Sequence, residues 1–454
     1  MNLLNTAVAF VVTLGLLIVV HELGHYLVAR LCNVKVLRFS LGFGRPLWSR
    51  KVGPDRTEWA IAAFPLGGYV KMLDEREAPV DAHELDRAFN RQSIARRFAI
   101  VLAGPAANFV LAVVLYWILF MHGVPGLKPI VGPVEPNTAA ATAGFQQGET
   151  ITRIGDESIQ TWQDARWVLL HHAVKKERVP VEVRGVSGER AVRELDLAQL
   201  TATDLDSDFL RGLGLVRQQP PLPGVIGNVL SGGAAERAGL KAGDEILAIG
   251  RDTVHSWEDV VAAVRSHPGA ALNLEIRRNG TQLSLPVMPD VFTENGRPVG
   301  RIGAGPKIDR DALAGVMTEV RYGPIESIGQ AFYKTWDTSV FSLQMLGRMI
   351  IGEVSLKNLS GPITIADYAG QSAQAGTVSF LLFLALISIS LGVLNLLPIP
   401  LLDGGHLMYY IFELFKGSPV SDKAIEIGQH LGMGLLFVLM AFALYNDINR
   451  LISG

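Results

Sequence analysis

The pentapeptide His21-Glu22-Leu23-Gly24-His25 is where residue type and spacing first point to chemistry. On a helix, positions four apart lie one turn up the same face, so the two imidazoles can chelate one cation. Zinc takes neutral imidazole nitrogen, and a catalytic zinc needs three protein ligands, which leaves a fourth position for water. Glu22 then stands beside the ion rather than on it. It is placed to take the proton of a water whose pKa the metal lowers to about 7, and to pass that proton to a leaving amine. Helices of soluble proteins match this pentapeptide by accident, so its setting decides its weight. Here it lies inside a long apolar tract. An ionisable side chain there costs about 2.5–3.5 kcal/mol on insertion scales, so three within five residues call for a partner such as a metal.

A third ligand must come from elsewhere in the chain. The stretch from Asn395 to His406 reads Asn-Leu-Leu-Pro-Ile-Pro-Leu-Leu-Asp-Gly-Gly-His. Pro398 and Pro400 break a helix there and leave an acidic residue at the end of an apolar run. Asp403 is the candidate, with His406 as its rival and an interfacial or hydrogen-bonding role as the alternative for that histidine. Asn395, about two helical turns before Asp403, is placed to hydrogen-bond a substrate or a developing oxyanion, or else a neighbouring helix.

Apolar elements must position these groups. Of 454 residues, 49% are hydrophobic and 19% charged, and the mean hydropathy is +0.29, a balance that suits a membrane protein with a substantial extramembrane part. The apolar residues cluster in four tracts: Met1 to Ala29 around the pentapeptide, Phe98 to Leu127, Ala369 to Leu402, and Gly428 to Asn446. Each is close to the length that crosses about 30 Å of hydrocarbon, so four spans follow. The first tract lacks the basic leader of a signal peptide and is read as retained. A net charge of -2 gives no case for nucleic acid, and the single Cys32 forbids an internal disulfide. Arg30, Lys35, Arg38, Arg45, Arg50, Lys51 and Arg56, followed by Arg87, Arg91, Arg96 and Arg97, place the loop between spans one and two in the cytoplasm. The segment from Lys128 to about Asp367 then lies on the opposite side, which in a bacterial inner membrane is the periplasm.

That segment contains a repeat at a constant offset of 95 residues, pairing Gly132 with Gly227, Gly144 with Gly239, Gly148 with Gly243 and Trp162 with Trp257. In each copy small residues lead into Ala-Gly-Phe or Ala-Gly-Leu, then a Gly-Glu or Gly-Asp turn, then an alternating strand, Thr150 to Ile154 or Glu245 to Ile249. The pattern resembles bacterial PDZ domains, a mixed α and β module that binds an extended peptide along a sheet edge, or that acts as a spacer or gate. The expected organisation is therefore an N-terminal membrane half over 1–127, with a β region at 35–75, and two PDZ modules over 128–220 and 221–308. A linker over 309–368 and a C-terminal membrane half over 369–454 complete it. Within the linker, Ile325 to Ile351 carries Phe332, Trp336, Phe341 and Met345 at helical spacing. It reads as an amphipathic helix on the membrane surface or packed on a soluble core.

Taken together, His21 to His25 in the first span, Gly104-Pro105-Ala106-Ala107-Asn108 in the second and Asn395-x-x-Pro-x-Pro-x-x-Asp403-Gly in the third resemble the site-2 protease family of intramembrane metalloproteases. The tandem repeat between spans two and three resembles a bacterial branch of that family. The resemblance covers essentially the whole chain. It implies zinc held by His21, His25 and Asp403, with Glu22 activating water. It also implies cleavage of transmembrane helices already clipped outside the membrane; in that branch these include a membrane anti-sigma factor of the envelope stress response and remnant signal peptides. The PDZ pair would then act as a size filter. A membrane-associated β element is implied as well. Trp59 to Phe64, a turn at Pro65 to Tyr69 and Val70 to Leu73 read as a hairpin, with Gly67, Gly68 and Tyr69 as candidate substrate contacts. Small residues from Gly104 to Asn108 read as helix packing, and Asn108 as non-catalytic. Two competing classes remain. One is a membrane-anchored PDZ binding protein with a non-catalytic metal site, which would have no use for a base at Glu22. The other is a metal transporter, which would need polar residues spread along several spans.

Overall fold

The computed structural model describes residues 3–198, 200, 209–219, 222–294, 297–307, 310–354 and 360–453. It divides into two compact units, Met1–Val124 with Arg321–Asn449, and Pro125–Val320 with Arg450–Gly454. The first unit is helical: α1 (Leu3–Leu31), α2 (Ile94–His122), α3 (Pro324–Ile350), α4 (Pro362–Ala375), α5 (Thr377–Leu396), α6 (Asp403–Lys416) and α7 (Asp422–Ser453). Four stretches, Leu4–Leu31, Ile94–His122, Thr377–Leu396 and Lys423–Arg450, are long and apolar enough to cross a membrane. Met1, where the first tract was taken to begin, lies outside the described residues.

Two expectations about this unit change. The tract from Ala369 to Leu402 is not one helix: α4 starts at Pro362, Gly376 at φ 112° separates it from α5, and the prolines end α5 at Leu396. Of the segment read as a linker over 309–368, the part from Arg321 onward belongs to the helical unit, while the residues up to Val320 group with the second unit. Helix α3 lays Ser327, Ala331, Thr335, Thr338 and Phe341 against its neighbours, while Phe332 and Trp336 are 60% and 72% exposed. Its buried stripe is thus made of small and hydroxyl residues with Phe341 at one end, while Phe332 and Trp336 face out. That fits helix association in lipid, where close approach rather than apolar burial holds helices together.

Between α1 and α2, β1 (Val36–Val52) and β2 (Thr57–Met72) form an antiparallel sheet that turns at Gly53 to Arg56, both in left-handed backbone. The hairpin expected within Trp59–Leu73 does not form. Phe39 faces Trp59 on one side and Val70 on the other, and Ser40 likewise faces Ala60 and Tyr69. The arms of β2 therefore flank β1 rather than each other. Gly-Pro-Asp-Arg is the tight turn, and Pro65 to Tyr69 only redirects β2. Phe39 and Trp59 stack at 4.5 Å, and both meet Tyr26 of α1 edge-on, fixing the sheet to the helix that carries the pentapeptide.

The second unit repeats itself. Strands β3 (Thr150–Ile154), β4 (Glu157–Ser158), β5 (Arg178–Arg184) and β6 (Arg190–Asp196) form a sheet in the order β4-β3-β5-β6. Strands β7 (Glu245–Ile249), β8 (Asp252–Thr253), β9 (Leu272–Arg278) and β10 (Thr281–Val287) form a second, in the order β8-β7-β9-β10. Each sheet packs on one helix, Trp162–Lys175 or Trp257–Arg265, and both helices begin with a reciprocal capping box, Thr161 with Asp164 and Ser256 with Asp259. Each copy has its own apolar core. Glu149 and Asp244 hold the same repeat position. Each is buried, accepts the backbone N–H three residues earlier and pairs with an arginine, Arg193 on β6 or Arg278 on β9. The expected boundaries at 220/221 and 308/309 fall on Pro220, Pro221, Ile308 and Asp309, outside the described residues.

Candidate metal centre

Two helices of the first unit bring the predicted ligands together. His21 and His25 project from α1, Asp403 stands in the first turn of α6, and the ligand atoms of all three lie within 4.8 Å of one another. His21 Nε2 is 3.2 Å from His25 Nε2, and Asp403 Oδ2 is 3.1 Å and 3.5 Å from those two nitrogens. Both imidazoles are more than nine-tenths buried. His25 Nδ1 lies 2.8 Å from the Ile100 carbonyl of α2, which can only accept, so the ring proton sits on Nδ1 and Nε2 presents a lone pair. Asp403 Oδ2 is buried and accepts no hydrogen bond. The free His25 lone pair and the Asp403 carboxylate converge and repel one another in a low-dielectric interior, and a divalent cation removes that conflict. Two imidazoles and one carboxylate are a donor set suited to zinc.

Close helix contact makes the convergence possible. A Cβ at Gly24 would stand 2.2 Å from the Ala103 carbonyl, and one at Gly104 would stand 2.2 Å from His25 Nε2. These two glycines let α1 and α2 touch at the pentapeptide. Pro105, inside α2, has no N–H to give to the helix ladder on the same turn. On the other side, Asp403 begins α6 after a loop in which Leu401 adopts φ 92°, a rare backbone for a branched residue. Gly404 and Gly405 pack under the carbonyls of Leu397 and Ile399, closer than any side chain would permit. Arg97 of α2 binds Glu413 at 2.6 Å and lies over the Tyr410 ring, which ties α6 to α2.

The remaining predicted residues divide. Glu22 is buried between the two histidines and makes no hydrogen bond to the protein among the described residues. Gly68 of β2 lies against it: an added Cβ would be 2.9 Å from Glu22 Cγ and 2.8 Å from Ile18 Cγ2. Gly67 is in left-handed backbone beneath the Phe43 ring, and the Tyr69 hydroxyl accepts from Arg38. Asn395 is half-buried on α5 and makes no side-chain hydrogen bond among the described residues. His406 does not join the group of converging ligand atoms. Asn108, read from sequence as a packing residue, is fully buried with its amide 3.3 Å from His21 Nδ1. An asparagine in an otherwise apolar span was the signal available for it.

The sequence profile of peptidase family M50 matches residues 9–439 of this chain, which belongs to that family. It is a zinc metalloprotease of the site-2, intramembrane type. The chain is 42% identical to the regulator of sigma-E protease RseP of Escherichia coli K12 over 446 residues, covering 98% of both chains. It is equally similar to the regulator of sigma E protease of Salmonella typhimurium over 455 residues, covering 99% of this chain and all of that one. A putative zinc metalloprotease of Neisseria meningitidis serogroup A is 41% identical over 452 residues, covering 99% of this chain and all of its relative. These likenesses and the four apolar helices mark a bacterial membrane protein.

Proposed function

We propose that His21, His25 and Asp403 hold the zinc and that Glu22 is the general base of peptide hydrolysis. The observation that carries this reading is the meeting of three ligand atoms within 4.8 Å inside the helical unit, with Glu22 beside them. When bound, zinc supplies Lewis acidity and an acidified water. With zinc held there, the Glu22 carboxylate would accept a proton from the attacking water and deliver it to the leaving amine. Asn395 offers its amide to the substrate backbone or to the oxyanion as charge develops there. The stretch Gly67–Tyr69 of β2 has no strand partner on its outer side among the described residues. A substrate helix cannot be cut until its backbone is exposed, and this edge accepts an unwound segment as an added strand beside Glu22. Exposed Phe43, Leu47, Trp48, Ile61 and Phe64 on the same sheet support its contact with lipid.

The substrates are single-span membrane proteins already clipped outside the membrane, of the anti-sigma factor type, together with remnant signal peptides. The chain sits in the bacterial inner membrane with its repeats in the periplasm. The shared sheet order of the two repeats supports reading 128–220 and 221–308 as PDZ modules. The test is cleavage of a pre-trimmed single-span substrate by purified protein in detergent, with zinc content measured alongside. Glu22→Gln should keep zinc and lose at least about a hundredfold in rate. A wild type that binds zinc, cuts no such substrate and binds peptides through its repeats would instead be a membrane-anchored binding protein.

A further inference from the structure

Both metal-facing histidines need their Nδ1 proton accepted if Nε2 is to stay free, and the structure answers this twice from one face of α2. The acceptor for His25 is the Ile100 carbonyl at 2.8 Å. Eight residues on, two helical turns up the same face, the Asn108 amide stands 3.3 Å from His21 Nδ1. Gly104 lies midway, where the absence of a side chain admits both rings. Asn108 is fully buried, and its Oδ1 is enclosed with no donor. As placed, Nδ2 faces His21 Nδ1. That orientation would require Nδ1 to accept, and so would put the ring proton on Nε2, pointing at Asp403 and His25. A half-turn of the amide brings Oδ1 to His21 Nδ1, and the buried acceptor gains a donor. One amide atom lacks a partner in either orientation, and the bond to a metal-polarised N–H is the stronger of the two.

We infer that Asn108 is a positioning residue that accepts the Nδ1 proton of His21 through Oδ1, so that α2 sets the tautomer of both histidines, once by backbone and once by side chain. The Asn108 backbone is anchored in turn, because its carbonyl accepts a 2.7 Å hydrogen bond from Ser388 Oγ of α5. The helix preceding Asp403 is thereby tied to the residue that orients His21. This inference rests on the zinc site proposed above.

The test uses full-length protein in detergent, with zinc affinity measured by chelator competition and the cobalt-substituted protein examined by its visible d–d absorption. Asn108→Leu, which keeps the volume and removes the acceptor, should weaken zinc about 10- to 100-fold and alter the cobalt spectrum, the range typical of outer-shell partners. Asn108→Asp, which keeps an acceptor, should bind zinc at least as tightly as wild type. Melting of the zinc-free proteins identifies a variant that is merely unfolded, and Asn108→Asp carries the test if Asn108→Leu does not fold. Wild-type affinity and spectrum in Asn108→Leu would overturn the inference, as would equal weakening in a folded Asn108→Asp. His21→Ala serves as the separate control: zinc binding unchanged in that variant would reject the site itself rather than the role of Asn108.

Discussion

A methyl group added at Gly104 would sit 2.2 Å from His25 Nε2 and 2.8 Å from His21 Nε2, against both atoms that face Asp403. Alanine is the better helix former by about 1 kcal/mol, so on propensity alone Gly104→Ala should stabilise α2. The expected outcome is the separation of these two effects: zinc affinity falls at least about tenfold, while the zinc-free protein, in which the helix gain offsets part of an overpacking cost of about 1–3 kcal/mol, still folds and melts cooperatively. Chelator competition and thermal melting in detergent measure the two. Retained zinc would mean that the rings have room to shift and that the glycine is only a close-packing device. Gly24 invites no such separation, because its added Cβ would strike the Ala103 backbone rather than the two imidazoles.

At the scale of elements, α4 depends on a carboxylate from another helix. Its N-cap, Gly361, has no side chain to offer. Asp447 of α7 accepts the N–H groups of Gly361, Ile363 and Thr364 at 2.9–3.2 Å and the Thr364 hydroxyl at 2.6 Å. Helix N-termini leave such N–H groups orphaned, and in a water-poor setting each must find a partner. Asp447→Ala should therefore cost about 1–3 kcal/mol and lower the melting temperature in detergent, with Asp447→Asn falling between it and wild type. The repeats hold a related device with a pH signature. Burial opposes the charge on Asp244, but its ion pair with Arg278 and its bond from the Lys241 N–H outweigh that, and the carboxyl titrates below its ordinary value. A group lowered in this way contributes stability that is present above its unfolded pKa of about 3.9 and is lost as pH falls through the lower folded value. Hydrogen exchange over 222–307 in the full-length protein should show Asp244→Asn opening that repeat near neutral pH, with the difference from wild type shrinking below about pH 4.

For the whole molecule, the basic loop after span one and the repeats before span three should lie on opposite sides of the membrane. Single cysteines placed in a Cys32→Ser background test this: Ala78→Cys and Val186→Cys both alter exposed positions. An impermeant maleimide should label the second in intact spheroplasts and the first only after lysis. Labelling of both before lysis would reject the assigned sidedness. What the sequence determined by itself was everything written as a local period. Four apolar runs, the i, i+4 histidines with Glu22 between them, and the 95-residue repeat each depend on neighbours along the chain, and helix geometry or strand alternation converts them directly into structure. Tertiary structure decided what depends on close approach of segments far apart in sequence. The arms of β2 flank β1 because residues 38–41 bond on both sides, a pairing no alternation pattern encodes. The tract after Ala369 breaks into α4 and α5, and its N-terminus waits on Asp447 more than eighty residues later. Asn108 looks like packing in sequence because its partner, His21, is eighty-seven residues away. Only the contact of α1 with α2 at Gly24 and Gly104 gives that amide something to hold.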